Sequence, residues 1–420
     1  MLNKCYFQGS LQCYLWCINN LIMYLDDSYK SNIRKILSVF GSVSAILILP
    51  YLGAYIKYHS HFPDDYFDYP PVISPPKADN SMTFELVLIG IGLLILMVYV
   101  FPAWFGFKKT GSNSFTTKPR MPFPIWGWIG MVMWVGTLIL LWGHFQRPKF
   151  LIHWAYIPMF WGFTLLLDAV LFMRDHTKSM VFNNPREMIA IGVAAMGGWM
   201  LFEYLNFFVR ENWIYPFSTL MPKPEFLIYA IAGSSGLMPV IFVIYRLLGT
   251  LPGFSDRYRQ GISINPSSAF GTILLIFFFT SMFLVPFFPN QLFGMLWISP
   301  MCIMVITLHK IGEWTPISPL KWGDWAPLMK YTLTYLIYGL FLECMNYFSG
   351  IHHGDTVISY TTAYWQYSIP YVNFWHVFEM PIVGFIGYLP FGIYCSAWWI
   401  SFAYLLNIPS SYKEDETISR

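Results

Sequence analysis

Long apolar runs separated by short polar segments make up most of the chain. A bilayer core about 30 Å thick requires roughly 20 apolar residues in helical form, and runs of about this length occur ten times. They predict transmembrane helices at residues 33–56, 82–104, 122–142, 151–173, 188–208, 226–248, 268–288, 291–309, 329–348 and 375–405. The last run is long enough to contain a break at Pro381 or Pro390.

The composition supports a membrane location. Hydrophobic residues account for 56% of the 420 positions and charged residues for 11%, whereas soluble globular proteins carry about 25% charged residues. The net charge of +3 and the lack of an arginine-rich run argue against nucleic-acid binding. Six cysteines without CxxC spacing indicate neither a disulfide framework nor a structural metal site. The predicted fold class is an all-α polytopic integral membrane protein, with the lipid bilayer as its partner.

The basic residues predict the orientation. Ten spans place both termini on one side, and a cytoplasmic placement leaves 19 of the 25 lysines and arginines in inner segments and 6 in outer segments. Because basic residues concentrate in cytoplasmic loops, we expect both termini in the cytoplasm, in a bacterial or archaeal cell membrane. Residues 1–32 then form a cytoplasmic extension, in which Met23 is an alternative start, and residues 407–420 form a cytoplasmic tail.

A Glu-x-x-Asn-aromatic-Phe motif occurs twice, beginning at Glu203 and, 140 residues later, at Glu343. Three further matches follow in the same order: Trp213-x-Tyr215 with Trp365-x-Tyr367, Glu225 with Glu379, and Gly236-x-Met238-Pro239 with Gly387-x-Leu389-Pro390. The offset is 152 at the tryptophans, so the second copy has 12 additional loop residues. The matches predict two parallel four-helix repeats, at residues 122–250 and 266–406, after two accessory transmembrane helices in residues 33–121. Chance similarity between apolar segments is the alternative interpretation.

Acidic and amide side chains of both copies are predicted to lie near the extracytoplasmic face. Residues three apart share one helix face, and an ionisable group at membrane depth faces protein or water rather than lipid. The candidate catalytic acids are Glu203, Glu343, Glu225 and Glu379. The candidate substrate-binding residues are Asn206, Asn346, Trp213, Tyr215, Trp365 and Tyr367.

Simpler explanations exist for some of these residues. Glu225 and Glu379 begin a predicted helix, where a carboxylate interacts favourably with the helix dipole. Glu203 and Glu343 lie at helix C-termini, where the dipole opposes a carboxylate. Loop tryptophans and tyrosines are often interfacial anchors.

The segment from Glu203 through Trp213-x-Tyr215 to Pro224-Glu225 resembles the lycopene cyclase domain of bacterial and archaeal carotenoid pathways. That family has an acidic residue in one helix, a Trp-x-aromatic loop about ten residues later, and a Pro-x-Glu-Glu motif at the start of the next helix. The resemblance covers roughly 25 residues of the first copy and, more loosely, Glu343 to Glu379 of the second. It implies acid catalysis by membrane carboxyl groups, although Phe226 and Met380 occupy the position of the motif's second glutamate.

Three classes of function remain open. In the first, the chain is a membrane enzyme that acts on an isoprenoid or other lipophilic molecule, with the carboxyl groups as general acids. In the second, it is a secondary transporter or channel that uses the same glutamates; such a protein needs further polar residues across the membrane, and Asp168 is the strongest candidate. In the third, it is a structural subunit in which His352, His353 and His376, with Asp355, hold a haem or metal, although a solvated loop explains these histidines equally well. The sequence does not identify a cofactor.

Overall fold

The computed structural model describes residues 11–108, 121–354 and 356–413, with side chains from residue 32 onward. Its α-helices are α1 (Leu11–Lys57), α2 (Met82–Val100), α3 (Ile125–Trp142), α4 (Lys149–His153), α5 (Tyr156–Arg174), α6 (Met180–Asn183), α7 (Pro185–Asn206), α8 (Lys223–Ser234), α9 (Pro239–Leu248), α10 (Ser268–Leu284), α11 (Met295–Ile311), α12 (Ala326–Tyr347) and α13 (Phe385–Leu405). The short strands are β1 (Trp213–Ile214), β2 (Gly350–His353), β3 (Thr356–Ser359), β4 (Gln366–Tyr367), β5 (His376–Val377) and β6 (Met380–Pro381).

The prediction of a helical membrane protein is confirmed. Within the described ranges, seven helical segments are long and apolar enough to cross a bilayer, and α10 and α11 are shorter apolar helices. The helix α12 has 22 residues but is less apolar, since it carries Lys330, Glu343 and several tyrosines. Many apolar side chains on the outer helices are exposed, as on α2, where Leu86 and Leu94 are both more than half exposed. Such surfaces require lipid around them.

Several helix boundaries differ from the apolar runs, and proline accounts for two of them. Residues 375–384 of the last run are not α-helical, because β5 and β6 form a tight antiparallel turn and a 3-10 turn follows Pro381. The helix α13 begins at Phe385 and continues through Pro390. The helix in the second run ends at Val100, two residues before Pro102. Proline disfavours helical backbone at the residue before it, here Phe101.

Two other boundaries have different causes. The run at 226–248 is divided into α8 and α9 by a turn that contains Gly236. The helix α1 begins at Leu11, so residues 11–32 of the predicted cytoplasmic extension continue the first span as helix.

Glycines allow α3 and α5 to pack closely. A Cβ atom at Gly130 would lie 2.7 Å from the Gly162 carbonyl oxygen, and one at Gly162 would lie 2.7 Å from the Trp134 amide nitrogen. Small residues at such crossings let helix backbones approach each other within a membrane. This packing fixes α5, whose Tyr156 and Phe160 line the cavity described below.

The helix α13 connects the two motif helices. It packs against α12, α11 and α7. Its closest approach to α12 is at Gly392, where a Cβ atom would overlap the Tyr331 carbonyl oxygen. Because α7 carries Glu203 and α12 carries Glu343, this packing brings both glutamates to one central helix.

Candidate functional site

Glu203 lies in the last turn of α7, buried among aromatic hydrogen-bond donors. Its Oε1 accepts from the Tyr215 hydroxyl at 2.6 Å and from the Trp199 indole at 3.1 Å. The Trp213 indole donates to both carboxyl oxygens, at 3.3 and 3.4 Å. Both oxygens therefore have protein partners, and the side chain is held on the same helix face as Trp199, which lies one turn earlier.

Glu343 occupies the corresponding place on α12 and is fully buried. Its Oε1 accepts from the hydroxyls of Tyr367, at 2.7 Å, and Tyr388, at 2.5 Å. Its Oε2 has no hydrogen-bond partner among the described residues. Each glutamate thus accepts from the tyrosine of its own Trp-x-Tyr segment. Among the described residues, only Glu203 has a hydrogen-bond donor at its second carboxyl oxygen.

The two asparagines hold the Trp-containing loops by their backbone. The Asn206 amide donates to the Trp213 carbonyl at 2.9 Å and accepts from the Asn212 backbone N–H at 2.8 Å. The Asn346 amide donates to the Trp365 carbonyl at 2.8 Å and accepts from the Trp365 N–H at 3.0 Å. Neither amide lines the cavity, so both act by positioning the loops.

The two loops pair with each other. The strands β1 and β4 are antiparallel, with Trp213 opposite Tyr367 and Ile214 opposite Gln366. The backbone groups bound by the two asparagines lie at these strands. The Trp213 carbonyl, bound by Asn206, belongs to β1, and Trp365, bound by Asn346, directly precedes β4. The hydrogen bonds between the strands join the loop that follows α7 to the loop that follows α12, and this places Tyr215 and Tyr367 on neighbouring segments.

A cavity of about 630 Å³ lies between these elements, and both Glu203 and Glu343 line it. This volume falls within the range typical of small-molecule sites. Its wall is mainly apolar and aromatic, with contributions from α2, α5, α8, α11 and α13. No Lys, Arg or His side chain of the described segments lines the cavity. The predicted residues on its wall are Glu203, Glu343, Trp213, Tyr215, Trp365 and Tyr367.

The structure does not bring Glu225 to this cavity. Its side chain is exposed in the first turn of α8 and accepts from the Trp154 indole at 3.2 Å. A carboxylate at this position interacts favourably with the helix dipole. The structure therefore supports the simpler of the two explanations for this residue.

Glu379 belongs to a separate cluster near the surface. Its Oε1 accepts from the Tyr364 hydroxyl and lies 3.0 Å from His352 Nε2. The His352 ring also stacks on Tyr347 at 4.0 Å. Unlike Glu225, Glu379 does not begin an α-helix, because the turn between β5 and β6 contains it. It does not line the cavity.

The histidine candidates do not converge. His352 and His353 lie on the hairpin β2–β3, which contains the additional residues of the second copy. His353 is exposed, and His376 pairs with Asn373 at 2.9 Å. Asp355 lies outside the described residues. Among the residues that the structure describes, no group of three or more His, Cys, Asp or Glu side chains has the geometry of a metal site.

The turn before Trp213 is held by a lysine. The Lys77 amine donates to the Val209 carbonyl at 3.0 Å, to the Arg210 carbonyl, and to Asn212 Oδ1 at 3.2 Å. Arg210 and Glu211 both have left-handed backbone conformations. Burial lowers the pKa of Lys77 to about 8 and raises the pKa of Glu211 to about 7. Lys77 and Glu211 are thus two partly buried groups at this turn whose pKa values are shifted towards neutral pH.

Sequence reasoning missed several residues at the site. Trp199 lies four residues before Glu203, a spacing that places it on the same helix face. Tyr388 lies within the matched Gly-x-Leu-Pro segment, as its variable residue. Trp297 of α11 stacks on Phe202 at 4.9 Å and lines the cavity. The helical spacing could have identified Trp199, whereas Tyr388 and Trp297 reach the site only through tertiary packing.

Asp168 serves a local structural purpose. It is buried, accepts from the Ser179 hydroxyl at 2.6 Å and accepts from the Met180 N–H at 2.7 Å. It does not line the cavity. Arg174 and His176, which follow Asp168 closely in the sequence, make no bond to it among the described contacts; Arg174 bonds to Thr250 instead.

No protein-family model, curated protein or solved structure matches the chain.

Proposed function

We propose that this membrane protein binds an uncharged lipophilic molecule in the cavity and acts on it as an enzyme, with Glu203 and Glu343 as acid–base groups. One observation carries the proposal: two buried carboxyl groups from two matching motifs line a single apolar, aromatic cavity. An apolar pocket with a few convergent polar groups is typical of a small-molecule site. A positioned carboxyl group can transfer a proton to or from a bound molecule.

An internal duplication explains the two half-sites. The Glu, the Asn and the Trp-x-Tyr tyrosine make equivalent hydrogen bonds in the two copies. Chance similarity between apolar segments does not account for equivalent side-chain contacts at collinear positions. We therefore propose two parallel four-helix units that each contribute one glutamate. The resemblance to the lycopene cyclase domain is kept as a proposal of remote kinship, since it covers the same motif.

The side of the membrane is also part of the proposal. The distribution of basic residues favours cytoplasmic termini, which places the two loops at the extracytoplasmic face of ten spans. A lipophilic molecule could then enter from the bilayer. The helix α2 contributes Phe84, Leu88 and Ile95 to the cavity wall, and its opposite side is largely exposed.

The cavity favours an enzyme over a transporter. A transporter needs polar groups along a path to the opposite face, and the strongest candidate, Asp168, has local partners outside the cavity. A haem or metal centre has less support, because the described residues contain no group of three or more His, Cys, Asp or Glu side chains that could hold a metal ion.

Occupancy of the cavity can be tested by photolabelling. The purified protein in lipid nanodiscs would be irradiated with a diazirine-bearing alkane, and the labelled peptides mapped by mass spectrometry. We expect labels on cavity residues of α8 and α11. Filling the cavity with Ala230→Trp should abolish them, whereas the matched variant Ile231→Trp on the exposed side of α8 should not. Labelling confined to lipid-facing residues would contradict the proposal.

Catalysis needs a separate test. Membrane lipid extracts would be incubated with the wild type and with the double variant Glu203→Gln, Glu343→Gln, and the products compared by mass spectrometry. We expect a product that depends on the carboxyl groups. If both proteins bind the photolabel but give identical extracts, the chain binds a lipophilic molecule without transforming it.

A further inference from the structure

The two glutamates differ in what they offer a ligand. Glu203 accepts three donors, from Trp199, Trp213 and Tyr215, and these occupy both of its oxygens. Glu343 uses only Oε1, and its buried Oε2 has no hydrogen-bond partner among the described residues. An unpartnered polar atom is costly to bury, so a native structure retains one where something else satisfies it.

A second unpartnered atom lies beside the first. The Trp365 indole lies close enough to the Glu343 carboxyl to interact with it, but its Nε1–H makes no hydrogen bond of ordinary geometry with the described residues. Both residues line the cavity. In the first copy, the equivalent Trp213 indole bonds directly to its glutamate. The second copy therefore leaves one acceptor and one donor available at the same place.

The helices explain this difference. Under the proposed duplication, Trp199 corresponds to Gly339, and Leu237 corresponds to Tyr388. In the second copy, the missing side chain at Gly339 makes room for the Tyr388 ring, whose hydroxyl bonds to Oε1. Both tyrosine donors thus converge on one oxygen, and the described part of the chain supplies no donor to the other.

The chemistry of this pair selects a ligand class. A hydroxyl group both donates and accepts, so it can donate to Glu343 Oε2 while it accepts from the Trp365 N–H. An anionic headgroup is disfavoured because two carboxyl groups line the cavity and none of the described basic side chains does. We propose that the Glu343–Trp365 pair binds the hydroxyl of an uncharged lipid alcohol, whose chain occupies the apolar cavity. This inference rests on the proposed function, since it assigns the polar end of the same ligand.

The test compares probes that differ only at one end. Binding of radiolabelled hexadecanol, hexadecane, hexadecylamine and palmitate would be measured on the full chain in nanodiscs. For the wild type, we expect hexadecanol to bind about tenfold more tightly than hexadecane, as for one hydrogen bond to a charged group, and palmitate to bind more weakly than hexadecanol.

Two variants test whether the Glu343–Trp365 pair causes the preference for hexadecanol over hexadecane. Glu343→Gln replaces the acceptor with an amide and Trp365→Phe removes the donor, and each should reduce the preference for hexadecanol over hexadecane at least threefold. Glu225→Gln is the control and should leave the ratio unchanged, because Glu225 is exposed and does not line the cavity. The ratio is insensitive to a general loss of folded protein, since hexadecane binding reports on the same cavity.

Each other outcome is decisive. Equal binding of alcohol and alkane by the wild type would overturn the hydroxyl subsite and leave the lipophilic cavity intact. Tighter binding of hexadecylamine, lost in Glu343→Gln, would replace the lipid alcohol with a lipophilic cation. If no probe binds, the proposed function itself is wrong.

Discussion

Tyr388 packs its ring on Gly339, one helical turn before Glu343, and donates its hydroxyl to the Glu343 carboxyl at 2.5 Å. A Cβ atom at position 339 would overlap this ring. In the first copy, the donor one turn from the glutamate is Trp199 of the same helix. The absence of a side chain at Gly339 is therefore what allows a different helix, α13, to supply the second donor.

Gly339→Ala should displace Tyr388 and weaken its bond to Glu343. Overpacking of this kind destabilises by about 1–3 kcal/mol, so we expect a lower midpoint in thermal unfolding in detergent. Gly90→Ala is the control, because a Cβ at Gly90 would meet nothing within 4 Å. Equal unfolding midpoints for the two variants would show that the contact between Gly339 and Tyr388 does not affect stability.

The side chains at positions 339 and 388 of the second copy can be replaced by those of the first copy. Gly339→Trp alone should be strongly destabilising, whereas Gly339→Trp combined with Tyr388→Leu imitates the pair Trp199 and Leu237. We expect the double variant to be more stable than the single variant, which is a favourable coupling between contacting residues. A double-mutant cycle of Gly339→Trp and Tyr388→Leu, followed by thermal unfolding, gives this coupling energy. A value near zero would argue against the proposed correspondence of these two residues to Trp199 and Leu237.

Asn346→Ala should release the loop that carries Trp365. The change removes two hydrogen bonds to the partly buried carbonyl and N–H of Trp365, and each lost bond costs about 0.5–1.5 kcal/mol. We expect a lower unfolding midpoint and altered tryptophan fluorescence. Asn373→Ala is the control, since Asn373 is exposed and its side chain bonds only to His376 among the described contacts.

Gly130→Leu should separate α3 from α5. Its side chain would meet the Gly162 carbonyl and the Leu166 N–H, each within 2.7 Å of the Cβ, so we expect destabilisation by about 1–3 kcal/mol or failure to assemble. Gly136→Leu on the same helix faces open space and should leave the unfolding midpoint near that of the wild type. A comparable loss in both variants would contradict close packing at Gly130.

Glu211 should give stability a pH dependence. Its pKa is raised to about 7 by burial from an unfolded value near 4.5, so the native state binds more protons than the unfolded state between these values. Stability therefore falls as pH rises from about 4.5 to 7. Glu211→Gln should flatten this slope in thermal unfolding. An unchanged slope in the variant would assign the dependence to other groups.

The local part of the site could be predicted from the sequence. Glu203 and Asn206 share a helix face because they are three residues apart. A Trp-x-Tyr segment follows the motif in both copies, although it comes 12 residues later in the second. The structure confirms the helical membrane fold and places four of these aromatic residues on the cavity wall. It adds that Tyr215 and Tyr367 are hydrogen-bond donors to the glutamates rather than only apolar walls.

The remainder depends on tertiary structure. Glu225 and Glu379 follow the loops at similar distances, but one lies in the exposed first turn of α8 and the other in a β-turn beside His352. Sequence spacing does not reveal this difference. Tyr388 reaches Glu343 only because α13 crosses α12 at glycines, which hydrophobic periodicity does not show.

The most direct test of the account is an experimental structure of the full chain in nanodiscs with hexadecanol, determined by electron cryomicroscopy. We expect one elongated density within the cavity, with its polar end at Glu343 and Trp365 and with Glu203 still bound by Tyr215. Two separate empty pockets, or carboxyl groups of Glu203 and Glu343 directed into the lipid, would contradict the account.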